Sequence, residues 1–190
     1  MDFVSSFESD YQVEEVLASS SRDSELRRFY FPGASTVGGR DGVMMRVIPA
    51  STEPWIGCFA SGLLQKSTLT RVFSCPNPNE ICVVSSGAGY FVRTDDPLQW
   101  QTIRSIPVVD VRAVTAKAML IFADFTKLVS YGGEGLRWES ARLSSDGIQI
   151  VDVTSERLNL IVWDAARQQN IRAVVDVDNG LVLSRHPIHE

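Results

Sequence analysis

The chain has 190 residues, 44% of them hydrophobic and 22% charged, the proportions of a single soluble globular domain, which exclude a disordered tail protein and a fibrous repeat. Eighteen basic residues against 23 acidic ones leave a net charge of −5, a field that does not attract nucleic acid. No apolar run reaches the ~20 residues that cross a bilayer and the N-terminus is acidic rather than signal-like, so a cytoplasmic protein without membrane contact is expected.

Residues 1–40 read as an appendage. Glu8, Asp10, Glu14, Glu15, Asp23 and Glu25 interleave with Phe7, Tyr11, Val16 and Leu17, a spacing that suits one short amphipathic helix. A serine-rich stretch at 18–21 follows, and Pro32-Gly33 and Gly38-Gly39 punctuate a linker.

Residues 41–190 read as a mostly β domain. Short runs rich in Val, Ile, Leu and aromatics begin at 43–48 and 55–61, continue at 69–74, 80–86, 88–94 and 98–103, and then at 108–114, 118–124, 126–131 and 136–143. The last four are 148–153, 158–164, 171–177 and 181–185. Turn residues bound each run, which is the pattern of an antiparallel meander, and the runs that are apolar throughout predict strands covered on both faces.

The segment 69–100 can be laid over 109–138 and, more loosely, over 150–183. Units of about forty residues with four strands each have the arithmetic of β-propeller blades. Three such units and the strand pair at 43–61 amount to about three and a half blades, so the ring is completed by N-terminal strands or by a second copy of the chain. A β-sandwich of the same strands is the alternative.

The stretch Arg93-Thr94-Asp95-Asp96-Pro97-Leu98-Gln99-Trp100 resembles a degenerate Asp-box, the Ser-x-Asp-x-Gly-x-x-Trp turn of sialidase-like propeller blades, with Arg93 and Pro97 in place of the serine and glycine. The stretch Ser130-Tyr131-Gly132-Gly133-Glu134-Gly135-Leu136-Arg137-Trp138 resembles a second copy with one extra residue and no aspartate. The resemblance implies a propeller-like scaffold in which Asp95, Trp100 and Trp138 lock turns. Such boxes are structural, so it implies fold and not activity.

Five aspartates, Asp110, Asp124, Asp152, Asp164 and Asp176, lie in or beside apolar strands. Aspartates there ordinarily cap turns. If a pair does acid–base work it is Asp124 and Asp164, which occupy matching repeat positions, although no nucleophile or metal partner stands beside them in sequence. Trp55 and Tyr90, with Phe59 and Phe91, are candidates for an aromatic recognition surface, although strand aromatics are core residues more often than contacts.

Cys58, Cys75 and Cys82 form no CxxC pair and read as small buried hydrophobes. His186 and His189 form an H-x-x-H pair near the C-terminus, read as a frayed tail and not as a metal site. The glycines of 85–90 and 132–135 read as hairpin turns and not as phosphate loops. No residue is assigned a catalytic, metal or cofactor role. The expected function is a non-enzymatic interaction or assembly module whose partner is a protein or a second copy, a homodimer; the alternative is a glycan-binding or sialidase-like protein.

Overall fold

The computed structural model describes residues 2–16, 25–38, 41–62 and 68–188. Leu17, Asp23, the 18–21 stretch, Gly39 and His189 lie outside the described residues. The chain divides into two compact units, 1–106 and 107–190.

The fold is mostly β. In the first unit the strands are β1 (Phe3–Val4), β2 (Tyr11–Glu15), β3 (Arg27–Phe31), β4 (Gly42–Pro49), β5 (Trp55–Ala60), β6 (Arg71–Ser74), β7 (Glu80–Ser85), β8 (Ala88–Arg93) and β9 (Trp100–Thr102). In the second they are β10 (Asp110–Val114), β11 (Met119–Ala123), β12 (Leu128–Gly132), β13 (Gly135–Glu139), β14 (Ile148–Val153), β15 (Arg157–Asp164), β16 (Gln169–Asp176) and β17 (Val182–Pro187). A 3-10 turn, Thr115–Lys117, joins β10 to β11.

The strands fall into four sheets ordered β2-β4-β5-β3, β1-β6-β7-β8-β9, β10-β11-β12-β13 and β14-β15-β16-β17. They do not form the two sheets of the sandwich alternative. The runs from β6 to β9, β10 to β13 and β14 to β17 are each simple antiparallel meanders, the units that sequence self-similarity had outlined.

The expected N-terminal helix is corrected, because no α-helix occurs among the described residues. Tyr11 is buried, Gln12 exposed, Val13 half-buried and Glu14 exposed, which is the period of two of a strand. Strand β2 pairs antiparallel with β4, Tyr11 opposite Pro49 and Glu15 opposite Met45. Strand β1 adds parallel to β6, and Ser74 Oγ accepts the main-chain N–H groups of Ser6 and Phe7 at 2.9 Å. The backbone donors of the N-terminal segment are thus satisfied by strands past residue 41, and that pairing overrides a helical charge pattern.

The first unit buries Phe29, Phe31, Met45, Val47, Trp55 and Phe59 against Ile81, Val83 and Val92. Phe31 stacks on Phe59 with centroids 4.9 Å apart, meets Trp55 at a tilt and meets Trp100 edge-on. The second unit buries Met119, Ile121 and Leu128 against Ile150, Leu158, Leu160, Val162 and Val175. Every residue of β11 and β12 is buried, as the unbroken apolar sequence of β11 predicts; β12 also buries Ser130, whose hydroxyl lies 3.3 Å from the Met119 sulfur.

Candidate functional site

Asp124 and Asp164 end the second strands of their meanders, and both carboxylates are occupied by the hairpin that follows. Asp124 is buried, and its Oδ1 accepts the main-chain N–H groups of Thr126 at 2.6 Å and Lys127 at 2.9 Å together with the Thr126 hydroxyl at 2.9 Å. Asp164 Oδ1 accepts the same pair of positions, Ala166 at 3.0 Å and Arg167 at 3.2 Å, while its other oxygen pairs with the Arg167 guanidinium. That guanidinium, with the two backbone donors, holds the Asp164 carboxyl below the usual range. The two hairpins lie at one end of the second unit, bridged by the 141–147 loop through Gly147 N–H to Phe125 O at 2.8 Å and Ser145 N–H to Trp163 O at 3.0 Å. The matching positions reflect matching turns, with Oδ1 of each carboxylate already taken by two backbone donors.

The proposed aromatic recognition surface is corrected as well. Trp55 is 3% and Tyr90 4% exposed. The Trp55 indole donates to Thr94 O at 2.8 Å and the Tyr90 hydroxyl to Ala60 O at 2.9 Å, so their polar ends are satisfied inside the core. Phe59 and Phe91 are buried with them.

Among the turn residues, Trp138 is buried and donates to Val177 O at 2.8 Å. Trp100 is half-buried, edge-on to Phe31 at 5.9 Å. Asp95 receives Arg93 Nε at 2.8 Å in a two-pronged pair that holds its carboxyl below the usual range, while Asp96 accepts from Leu98 N and the Gln99 amide across the turn. The glycines form the expected hairpins: Ser86 and Gly87 both have positive φ between paired Ser85 and Ala88, a two-residue type I′ loop.

All three cysteines are buried and free, and burial pushes the Cys75 and Cys82 thiols well above their ordinary range. They are inert core residues. His186 is not in a frayed tail: it sits in β17, in register with Arg172 of β16. No group of three His, Cys, Asp or Glu side chains that could hold a metal occurs among the described residues, and no helix there is long and apolar enough to cross a membrane.

The outward face of the β14–β17 sheet, which no sequence motif marks, carries a groove. Alternation puts Leu158, Leu160 and Val162 into the core and leaves Asn159, Ile161 and Trp163 half-exposed on the other side. On β16 the same rule turns Ile171, Ala173 and Val175 inward and Arg172 and Val174 outward. The groove, of about 460 Å³, has Val151, Ile161 and Val174 as its apolar surface and Asp152, Arg172 and His186 as its charged or polar borders. Ile161, Arg172 and His186 stand in one cross-strand row. The signal was present as polar residues alternating with apolar ones in 157–176, but only the register assembles the row.

No protein-family model and no curated protein matches the chain. Among solved structures, the N-terminal domain of Nup159 is similar at 11% identity and a TM-score of 0.42, over 99% of this chain and 54% of that one. The chain thus spans about half the length of that neighbour, and the functional reading rests on the chain's own geometry.

Proposed function

We propose that the chain is a protein-interaction module built from propeller-type blades. The observation that carries this reading is the placement of exposed apolar side chains. Of nine large hydrophobic residues exposed among the described residues, Val151, Leu181, Val182 and Leu183 belong to the last sheet or its final hairpin. Leu181 is 64% and Leu183 52% exposed, and three of the four are consecutive. Leu181, Val182 and Leu183 lie at and in β17, one edge of the sheet, and Val151 lies in β14, the other edge. Consecutive exposed apolar residues on an edge strand mark protein contact, whereas scattered single residues do not. The blade assignment is supported by three successive four-stranded meanders in simple next-neighbour order.

The reading is tested by light scattering and quantitative affinity capture with the full chain and a Val151→Glu/Leu183→Glu variant. A mass near twice 21.0 kDa that the variant reduces to the monomer identifies the partner as a second copy. A monomeric chain that captures a defined protein, lost in the folded variant, identifies a different one. A monomer whose captured proteins are the same for both forms overturns the proposal.

A further inference from the structure

We infer that the groove on the outward face of the β14–β17 sheet docks an extended peptide that carries an acidic side chain between apolar ones. This inference rests on the reading of the chain as an interaction module and specifies the partner's chemistry.

Three observations bear on the occupant. The first is the cross-strand row. Ile161 faces Arg172, and Arg172 faces His186, so their Cβ atoms lie about 5 Å apart. Neither the Arg172 guanidinium nor the His186 imidazole has a side-chain partner among the described residues. Four of the six other arginines in this unit are engaged, Arg112 with Asp110, Arg167 with Asp164, Arg137 with Lys117 O and Arg142 with Ser144 O. The Arg157 and Arg185 side chains have no such partner among the described residues, and what sets Arg172 apart is its place in the row with His186 beside the groove. Two donors placed opposite each other with no acid between them add nothing to the sheet, since adjacent basic groups do not stabilise a strand pair. They form a ready seat for a carboxylate, which a guanidinium holds through two parallel N–H groups.

The second observation is the apolar surface beside that seat. Val151, Ile161 and Val174 line the groove, and Val151 is 56% exposed. A free inorganic anion would leave these side chains in water, whereas an extended peptide covers them with alternate side chains. The third is the far border. Asp152 is in register with Asn159, whose amide lies 3.5 Å from it. The Asn159 row is two residues along β15 from the Ile161 row, about 7 Å. A carboxylate is therefore favoured at the Arg172 end and disfavoured at the Asp152 end, where a donor is preferred. That asymmetry sets the direction in which the peptide lies. The chain's net charge of −5 disfavours long polyanions, so the attraction is local and suits one or two carboxylates.

The experiment is selection from a random dodecapeptide display library on the biotinylated full chain, followed by fluorescence anisotropy with the enriched peptides. Expected are sequences in which Asp or Glu alternates with Leu, Ile or Val, with binding weakened about tenfold or more by Arg172→Glu and less than about twofold by Arg157→Glu on the same sheet. Arg172 is exposed, and circular dichroism checks that the variant is folded. Arg172→Gln, which keeps hydrogen bonding without charge, is the second variant and weakens binding by at least about threefold. Peptides without acidic residues, or peptides bound equally by Arg172→Glu, overturn this inference and leave the interaction reading standing. No enrichment over bare support also overturns it, and the interaction reading is then judged by its own capture and mass measurements.

Discussion

The indole N–H of Trp138 donates to the main-chain oxygen of Val177 at 2.8 Å, which ties β13 to the residue that follows β16 in the next sheet. The first unit repeats the arrangement: the indole of Trp55, on β5, donates to Thr94 O at 2.8 Å, just past β8 of the next sheet. In both, a tryptophan caps a carbonyl left unpaired where a third strand of the neighbouring meander ends.

Trp138→Ala is expected to cost about 3–5 kcal/mol in chemical denaturation, from lost burial and the cavity left behind. Trp138→Phe keeps part of the packing and leaves Val177 O without its donor, so an intermediate loss of about 1–3 kcal/mol is expected.

Gly180 lies under the same ring. A Cβ there would come within 2.6 Å of Trp138 Cε3, and its φ is +73°. Gly180→Ala is expected to cost about 1–3 kcal/mol in the natural chain and about 1 kcal/mol in a Trp138→Ala background, where only the backbone strain remains. A double-mutant cycle measures the difference.

Asp124→Ala removes three hydrogen bonds at a buried turn and is expected to cost about 2–3 kcal/mol, whereas Asp124→Asn keeps the accepting oxygen and costs less than about 1 kcal/mol. Equal losses for the two variants would give the charge itself a role beyond capping. Thermal and urea unfolding distinguish these outcomes.

Glu80 supplies a pH dependence. Burial pushes its carboxyl from 4.5 up to about 7, only partly opposed by Arg93, whose guanidinium is taken by Asp95. The folded chain therefore binds a proton more tightly than the unfolded chain, so this group favours folding most in acid, and stability falls as pH rises from 4.5 to about 7. Glu80→Gln is expected to stabilise the chain at pH 8 by on the order of 1–2 kcal/mol, after allowing for solvent screening, and to give no gain at pH 4.5. Asp95 has the opposite sign: its lowered carboxyl stabilises the fold above the unfolded value, and that contribution is lost as pH falls through the folded one. Urea titrations from pH 8 down to well below 3.8 resolve both.

Much of the β region is legible in the sequence, because Val, Ile and aromatic runs bounded by turn residues specify strands through local preference. Every strand from β4 to β17 overlaps such a run. The strands before β4 were not legible, since Tyr11 to Glu15 acquires its identity from β4, thirty or more residues away, and its acidic spacing is compatible with a helix face. At the candidate site, the strand-end aspartates were legible as turn caps, and the fate of Trp55 and Tyr90 was not. A strand aromatic faces core or solvent according to which sheet lies over it.

Composition, strand periodicity and the repeat of about forty residues thus follow from the sequence by itself, because each depends on near neighbours along the chain. Tertiary structure alone decided that the N-terminal segment completes two sheets, that Trp55 and Trp138 cap distant carbonyls, and that Arg172 and His186 stand side by side. Those relationships depend on inter-strand register, where a shift of one residue sends every side chain to the opposite face.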